Sequence, residues 1–322
     1  MFGIVADSIY KKHLTGAFHP ESPSRYEAIM RHLGEEGLVS ANDLFLPREA
    51  LEEDILRCHS KDYLEILEKD TSFAGRLDSD DGSYTLSTGD VQICSKSLQV
   101  AKFAAGAVIT AVDLIMKEEV NRVFCLVRPP GHHACRSIGM GFCLLNNVAI
   151  GVCYAKEKYK VNRVFIVDWD VHHGNGTQEI FDMDPSVFYF SVHRAHFYPP
   201  GTGLANQKGE GLGKGFSKNF PIESGWGSRK KVLEVFENDL PELIGSFRPD
   251  MVFISAGFDG HLRDPLGGFC LEEADYGFLS DIVVSLADYC AKGRVVSVLE
   301  GGYDLKALAL STASHIRSLS KK

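Results

Sequence analysis

Residues 164–176 read VFIVDWDVHHGNG, and this stretch predicts a buried strand that ends in a polar turn. Its first half is rich in β-branched and aromatic residues, which is typical of a strand buried on both faces. Asp168, Asp170 and His172 follow at alternating positions, so a continuing strand would point all three side chains to one side. Carboxylate and imidazole groups suit zinc or another transition metal, and Asp170 and His172 are therefore candidate ligands. A polar loop whose side chains cap the next helix explains this single motif equally well.

Buried strands alternate with helices along the rest of the chain of 322 residues. This alternation is typical of a parallel sheet wrapped by helices on both faces. No linker rich in Pro, Gly or Ser divides the sequence, so we predict a single α/β domain over residues 1–322 with a mainly parallel central sheet. The predicted strands are 2–6, a strand from 164, 123–127, 187–194, 251–259 and 294–299, and the predicted helices are 25–33, 51–69, 91–116, a helix from 147, 177–181, 229–244, a helix within 270–290, and 305–318.

Polar side chains follow four of the predicted strands, and chance explains four such strand ends less well than one. His132 and His133 follow one strand, Asp259 another and Tyr303 a third, in addition to the opening motif. The carboxyl ends of parallel strands share one edge of a sheet, where α/β proteins form their sites. Asp259 would complete a set of three metal ligands that leaves positions open for catalysis. The histidines could act as general base and acid, and the Tyr303 hydroxyl could donate to an oxyanion, which predicts metal-assisted hydrolysis of an amide or ester.

Composition restricts the classes of partner. The net charge of −9 argues against a protein that grips nucleic acid through its phosphates. The eight cysteines contain no CxxC pair, which favours free thiols in a reducing, intracellular compartment. We expect a cytoplasmic protein, with nuclear and organellar locations left open. We find no signal peptide and expect no apolar run of the roughly 20 residues that a membrane span requires.

Eight motifs, spread in order over nearly the whole chain, resemble the zinc-dependent histone deacetylase superfamily with its arginase–deacetylase fold. They are HPESPSR, RPPGHHA, GFCLLNNVAI, VDWDVHHGNGTQ, SVHR, FYPPGTG, SAGFDGHLRDPLGG and LEGGYD. The GNGTQ and DPLGG segments look more like the class II branch and its bacterial relatives than like class I.

The resemblance implies a role for each residue of the candidate site. One catalytic zinc ion would be held by Asp170, His172 and Asp259. His132 and His133 match the tandem histidines, of which the second is the general base and acid. Asp168 matches the hydrogen-bond partner of His132, and Asn175 stands in the place of the class I aspartate that pairs with the second histidine. Tyr303 matches the catalytic tyrosine. Because Asn175 carries no charge, His133 should be harder to protonate than it would be beside an aspartate.

The resemblance also implies a tunnel for an acyl-lysine side chain. Phe142 matches one wall, and Tyr198 or Phe197 the other, because the extra proline of FYPPGTG leaves the register open. Asp80 or Asp81 matches an acidic rim residue. Further substrate contacts are implied for Gly141, Gly302 and Leu266. Leu266 stands where polyamine-selective relatives use a glutamate, which favours an acyl-lysine substrate.

One or two structural potassium ions are implied as well. The residues that match these sites are Asp168, Asp170, His172, Ser191 and Val192 for the first ion and Phe181, Asp184, Val187 and Phe220 for the second. The expected partners are an acylated peptide or protein, or a small acetylated amine, acted on by a monomer or small homo-oligomer that binds neither nucleic acid nor membrane.

Three other functions fit parts of this pattern. An acetylpolyamine amidohydrolase would share the fold, but this chain has Leu266 where the resemblance places the glutamate of polyamine-selective enzymes. An arginase-like enzyme with two manganese ions would need more carboxylates than DWDVHHGN supplies. A catalytically weak reader of acyl-lysine would not need Tyr303 beside an intact ligand triad.

Overall fold

The computed structural model describes residues 1–77 and 79–321. Its strands are β1 (Phe2–Ala6), β2 (Leu44–Phe45), β3 (Tyr84–Thr85), β4 (Gln92–Ile93), β5 (Arg122–Leu126), β6 (Val164–Asp168), β7 (Val187–Arg194), β8 (Ser217–Ile222), β9 (Met251–Ala256) and β10 (Val295–Leu299). Its helices are α1 (Pro23–Glu35), α2 (Glu52–Ile55), α3 (Lys61–Ala74), α4 (Ser97–Met116), α5 (Asn147–Tyr159), α6 (Asn175–Phe181), α7 (Ser228–Phe247), α8 (Glu273–Cys290) and α9 (Leu305–Leu319), with 3-10 turns at Ser8–Lys12, Ala41–Asp43 and Gly211–Gly213.

Eight strands form one sheet in the order β2-β1-β5-β10-β9-β6-β7-β8. Every pairing in it is parallel, which confirms the predicted fold class and extends it from mainly to wholly parallel over the described residues. β3 and β4 form a separate antiparallel pair. Residues of the central strands are buried on both faces because helices cover both sides of the sheet.

The strand order places side by side the four strands that are followed by candidate site residues. β5, β10, β9 and β6 are consecutive in the middle of the sheet, although they come from distant parts of the chain. Since all four are parallel, their carboxyl ends lie at one edge. The polar residues that follow them therefore meet at that edge, where open parallel sheets bind ligands.

The strand in residues 164–176 is shorter than the alternating positions of Asp168, Asp170 and His172 predicted. β6 stops at Asp168, and Asp170 and His172 lie in the turn beyond it. The N–H of Asp170 donates to Oδ1 of Asp168 at 3.2 Å, and the N–H of His172 donates to Oδ1 of Asp170 at 2.9 Å. Because these side-chain bonds replace ladder bonds, the chain leaves the sheet. The alternation argument therefore holds only as far as Asp168.

Sequence patterns missed β8, whose sequence SKNFPI includes Pro221. Proline cannot donate to a ladder, so it argues against a central strand. β8 pairs only with β7 and lies at the edge of the sheet, where a proline is tolerated. The very short β2, β3 and β4 were missed as well.

The expectation that no apolar run reaches membrane-spanning length is wrong for α4. This helix has 20 residues and is long and apolar enough to cross a membrane, but 72% of its most apolar window is buried inside the protein. It packs against α5, α3 and β5. That burial is typical of a core helix. All eight cysteines are free thiols, as predicted.

Candidate active site

The three predicted metal ligands converge beyond the ends of β6 and β9. Nδ1 of His172 lies 3.0 Å from Oδ1 of Asp170 and 3.1 Å from Oδ2 of Asp259. The ligand atoms all lie within 4.8 Å of one another, and the side chains are buried. Each carboxylate uses its other oxygen to accept a backbone bond, Asp170 from Gly301 at 2.8 Å and Asp259 from Val171 at 2.9 Å. These bonds orient both carboxylates toward the histidine.

The charges of this triad suit a cation. Burial lowers the pKa of His172, but its hydrogen bonds to Asp170 and Asp259 outweigh burial and raise it to about 10. Burial and the charge of Asp170 raise the pKa of Asp259 to about 7. Two buried carboxylates facing one point require positive charge there. Two carboxylates and one imidazole are also a ligand set that a catalytic zinc ion takes, so these residues fit the metal.

His132 lies behind the triad and is held by Asp168. Its Nδ1 lies 3.2 Å from Oδ2 of Asp168, and the hydroxyl of Tyr189 donates to the same oxygen at 2.9 Å. Burial lowers the pKa of His132, but the charges of Asp170 and Asp168 raise it to about 10. The two carboxylates therefore favour the protonated form of His132, whose ring Asp168 holds in place.

His133 has the opposite character. Its Nδ1 lies 2.8 Å from Oδ1 of Asn175, whose Nδ2 faces the sulfur of Cys135 at 3.2 Å. Burial holds the pKa of His133 well below its usual value, and the positive charges of His132 and His172 lower it further. His133 is therefore neutral. Because its Nδ1 donates to Asn175, its Nε2 is free to accept a proton.

Tyr303 is brought to the same place by the loop after β10. Its ring meets that of Phe142 edge-on at 5.8 Å, and the guanidinium of Arg25 lies 5.1 Å from its centroid. Burial raises the pKa of Tyr303 well above its usual value, so the hydroxyl stays protonated and can donate. Gly301 permits this approach, because a Cβ there would overlap the carboxylates of the ligand triad.

A cavity of about 220 Å³ joins these groups to the surface. Its wall is mostly apolar, which suits the methylene chain of a long side chain. The lining residues are Asp90, His133, Gly141, Phe142, His172, Phe197, Tyr198, Leu266 and Tyr303.

Phe197 and Tyr198, the two candidates for the second wall of the tunnel, both line the cavity. Phe197 stacks on His172 with ring centroids 5.4 Å apart, and the guanidinium of Arg194 lies 3.9 Å from the centroid of Phe197. Tyr198 meets the ring of His133 edge-on at 5.1 Å. Its hydroxyl donates to Asp90 at 3.0 Å. The two alternatives therefore contribute different parts of one wall.

The carboxylate on the cavity wall belongs to Asp90, and the structure does not bring Asp80 or Asp81 there. Asp90 accepts a bond from the N–H of Gly141 at 2.9 Å, which joins it to the wall beside Phe142. Asp80 instead accepts from the N–H of another loop residue at 2.7 Å, and Asp81 turns back onto its own loop. Asp90 lies in the same segment between α3 and α4 as Asp80 and Asp81. This segment is largely irregular, so it has no period from which the position of a rim residue can be predicted.

Gly302, also predicted to contact substrate, is not among the lining residues. Its carbonyl oxygen accepts a bond from Nε of Arg25 at 2.7 Å. Arg25 belongs to a fully buried ion cluster, in which Glu21 accepts from Arg25 at 3.1 Å and from Arg128 at 2.5 Å. Burial raises the pKa of Glu21, but the charges of Arg128 and Arg25 lower it to about 2. This cluster supports the Tyr303 loop from behind.

Two further carboxylates fix the backbone of the catalytic residues, and sequence reasoning missed both. Glu300 accepts from the N–H of Gly131 at 2.7 Å and of His132 at 3.1 Å. Asp264 accepts from the N–H of Tyr303 at 2.7 Å. An acid directly after a buried strand was the available signal for Glu300. Asp264 gave none, because its bond to Tyr303 joins residues 39 positions apart.

The residues predicted to hold potassium form two groups. Asp168 and Ser191 are direct partners across β6 and β7, and Val192 follows on the same strand. The hydroxyl of Ser191 lies 2.8 Å from Nδ1 of His193. The second group lies around the junction of α6 and β7 and on β8, and its members are Phe181, Asp184, Val187 and Phe220. Oxygen donors of the kind that potassium prefers are present in both groups.

A parallel α/β sheet whose strand ends carry a ligand triad, two histidines and a tyrosine defines a metal-dependent hydrolase. The family model for the histone deacetylase domain matches residues 19–319. A probable deacetylase of Archaeoglobus fulgidus is 36% identical over 94% of this chain and 82% of its own length. Polyamine deacetylase HDAC10 of Danio rerio is 39% identical over 91% of this chain and 42% of its own.

Solved structures agree with the sequence comparison. The crystal structure of the HDA15 HD domain matches with a TM-score of 0.88 and 33% identity, covering 99% of this chain and 87% of that one. This chain therefore belongs to the histone deacetylase family and is a deacetylase. The family is zinc-dependent, and among the described residues the triad of Asp170, His172 and Asp259 could hold a metal ion.

Proposed function

We propose that this protein hydrolyses the amide bond of Nε-acyl-lysine in a peptide or protein, with zinc as its cofactor. The cavity carries the proposal, because its wall brings His133, His172 and Tyr303 together with an apolar passage of about 220 Å³. An acyl-lysine side chain is unbranched and uncharged, so it enters such a passage at little desolvation cost. A free lysine product is charged and leaves it readily.

The chain's own residues then have distinct tasks. Neutral His133 takes a proton from the attacking water at Nε2 while Asn175 holds its Nδ1. The protonated hydroxyl of Tyr303 donates to the carbonyl oxygen as negative charge develops there. His133 returns the proton to the leaving amine, and His132, held by Asp168, lies against the same group of residues. A zinc ion bound by Asp170, His172 and Asp259 would polarise the substrate carbonyl and lower the pKa of water.

A small acetylated polyamine is the second candidate substrate. The polyamine deacetylase of Danio rerio among the relatives supports it. Leu266 speaks against it, because this apolar side chain lines the cavity where the sequence resemblance places a selecting glutamate in polyamine enzymes. A polyamine keeps at least one ammonium outside its acetylated arm, and leucine offers that charge no partner.

A substrate panel with zinc-loaded enzyme of measured metal content distinguishes these possibilities. We expect acetate release from an acetyl-lysine peptide to exceed release from acetylputrescine and acetylspermidine by at least tenfold in kcat/KM. A preference for the polyamines would overturn the substrate assignment while leaving the hydrolase intact. Longer acyl groups in the same peptide measure the acyl-chain preference.

The variant Leu266→Glu tests the same substrate assignment by adding the carboxylate that the chain lacks at this position. A carboxylate at this position should raise kcat/KM for acetylspermidine relative to the peptide by about tenfold, or ~1.4 kcal/mol, because it gives the free ammonium a partner. Leu266→Gln is the matched control, since it has the same shape without the charge. Equal changes in both variants would show that charge at this wall does not select the substrate.

We also propose that potassium binds near Asp168 and Ser191. Support comes from the carboxylate and the hydroxyl, which lie on paired residues of neighbouring strands. A bound ion should raise the melting temperature as potassium concentration increases. Ser191→Ala should weaken that dependence relative to lithium buffer at equal ionic strength. Identical melting curves in the two salts would refute the site.

A further inference from the structure

Phe18 lies in the loop between the first 3-10 turn and α1, with its side chain fully exposed. Its backbone φ is 65°, in the left-handed region. A bulky residue rarely adopts this conformation, because its Cβ crowds the following carbonyl oxygen. Since the ring is exposed, burial does not offset the strain. Neither local geometry nor packing within the protein explains a phenylalanine here, and such an outlier points to a function.

The loop that carries Phe18 is fixed on both sides. The N–H of Gly16 donates to the carbonyl oxygen of Asp81 at 2.9 Å. The hydroxyl of Thr15 donates to the carbonyl oxygen of Glu21 at 2.6 Å, and the N–H of Glu21 donates to Nδ1 of His19 at 3.1 Å. Glu21 itself is anchored in the buried ion cluster. These bonds hold the backbone on both sides of Phe18 in place.

This position adjoins the mouth of the cavity. The ring of His19, the next residue, meets the ring of Phe142 edge-on with centroids 4.7 Å apart, and Phe142 lines the cavity. The segment between α3 and α4, which bonds to Gly16 through Asp81, also reaches the cavity, because it carries Asp90. Asp90 is exposed at the surface and bonds to the N–H of Gly141, next to Phe142. The exposed ring of Phe18 therefore belongs to a loop that adjoins a wall with an aromatic ring and a carboxylate.

We propose that Phe18 is a specificity-determining residue that contacts the side chain next to the acyl-lysine and favours lysine or arginine there. The inference rests on the proposed function, because it requires a polypeptide whose acyl-lysine enters the cavity. The backbone of that polypeptide must stay at the mouth, where each residue advances it by only ~3.5 Å. A cationic neighbour stacks favourably on an aromatic face, and the carboxylate of Asp90 at the cavity attracts the same charge.

The test compares wild type and Phe18→Ala on three substrates: a capped acetyl-lysine without neighbours, a peptide with arginine beside the acetyl-lysine, and the same peptide with leucine there. We expect Phe18→Ala to raise KM about 2- to 5-fold for the arginine peptide, as an exposed cation–π contact implies. The kcat of that peptide, both constants of the capped substrate and the KM of the leucine peptide should stay unchanged. Phe18→Trp should restore the low KM, because it restores an aromatic face.

Tyr289→Ala is the matched control. Tyr289 is also exposed, but it follows Asp288, which pairs with Arg122 at the start of β5 and thus at the opposite edge of the sheet. An unchanged KM in Phe18→Ala, or equal increases for the capped substrate or for the leucine peptide, would overturn the inference. Failure of the proposed function looks different, because wild type would then not cleave the capped acetyl-lysine at all.

Discussion

The side-chain oxygen of Asn175 lies 2.8 Å from Nδ1 of His133. An aspartate in the same place would add negative charge beside the imidazole, whose pKa burial now holds well below its usual value. We predict that Asn175→Asp raises the pKa of His133, because a nearby negative charge favours the protonated imidazole. Because the base must be neutral to accept a proton, the acidic limb of the kcat/KM profile should move to higher pH by the same amount. A limb that stays or moves to lower pH would exclude His133 as the base.

Tyr303→Phe should remove most turnover without removing metal. One donor to a developing oxyanion is worth about 100- to 1000-fold in kcat. The variant keeps the ring and its contact with Phe142, so the fold and the metal content should match those of wild type. Acetate release together with elemental analysis of zinc measures both quantities. Wild-type turnover in this variant is incompatible with the proposed role of the hydroxyl.

Asp264→Asn should disturb Tyr303 through its backbone. Oδ2 of Asp264 accepts from Tyr303 at 2.7 Å and Oδ1 accepts from Leu266 at 2.9 Å, so an amide must place its NH₂ against one N–H donor. Loss of one charged hydrogen bond costs about 1.5–3 kcal/mol, which corresponds to a fall in kcat of roughly 10- to 100-fold. Asp304→Asn is the control, because asparagine caps α9 as well as aspartate does. Equal effects of the two changes would argue against a specific role for Asp264.

Glu21→Gln should destabilise the fold, because it leaves the buried guanidinium groups of Arg25 and Arg128 without a counter-charge. Breaking a buried ion pair costs about 3–5 kcal/mol in the free energy of unfolding. Glu27→Gln removes the partner of Lys11 in an exposed pair, and should cost less than about 1 kcal/mol. Urea denaturation at neutral pH measures both. Comparable values for the two variants would contradict the structural role of the cluster.

The same cluster predicts a pH dependence. The net effect of the arginines is to hold the pKa of Glu21 at about 2 in the folded protein, below the value of about 4.3 for an unfolded glutamate. A lowered carboxyl pKa stabilises the fold above the unfolded pKa, and this contribution is lost as pH falls from about 4.3 toward 2. Stability should therefore fall less steeply with acid in Glu21→Gln than in wild type. Parallel curves would count against this linkage.

The sequence predicted the parallel sheet because its strands are apolar, short and separated by amphipathic helices. It missed β8 because Pro221 breaks the pattern at a position that only an edge strand tolerates. Asp170 and His172 were predicted as ligands because they continue the alternation of a strand, but this strand ends at Asp168. The residues still converge, because carboxylate-to-backbone bonds shape the turn.

The sequence alone could not identify the carboxylates that hold the catalytic residues and the cavity wall in place. Glu300, Asp264 and Asp90 act through partners that are 39 to 169 positions away in sequence. No local period encodes such pairings. The strand order decides them, because it brings β5, β10, β9 and β6 side by side.

Metal titration tests the central claim most directly. Metal-free enzyme, prepared with a chelator, is titrated with zinc while acetate release from an acetyl-lysine peptide is followed. We predict no release without metal and a linear rise that ends at one zinc per chain, with Asp259→Ala failing to respond. Full activity in the metal-free enzyme, or a rise that ends only at two manganese ions per chain, would contradict a single-zinc deacetylase.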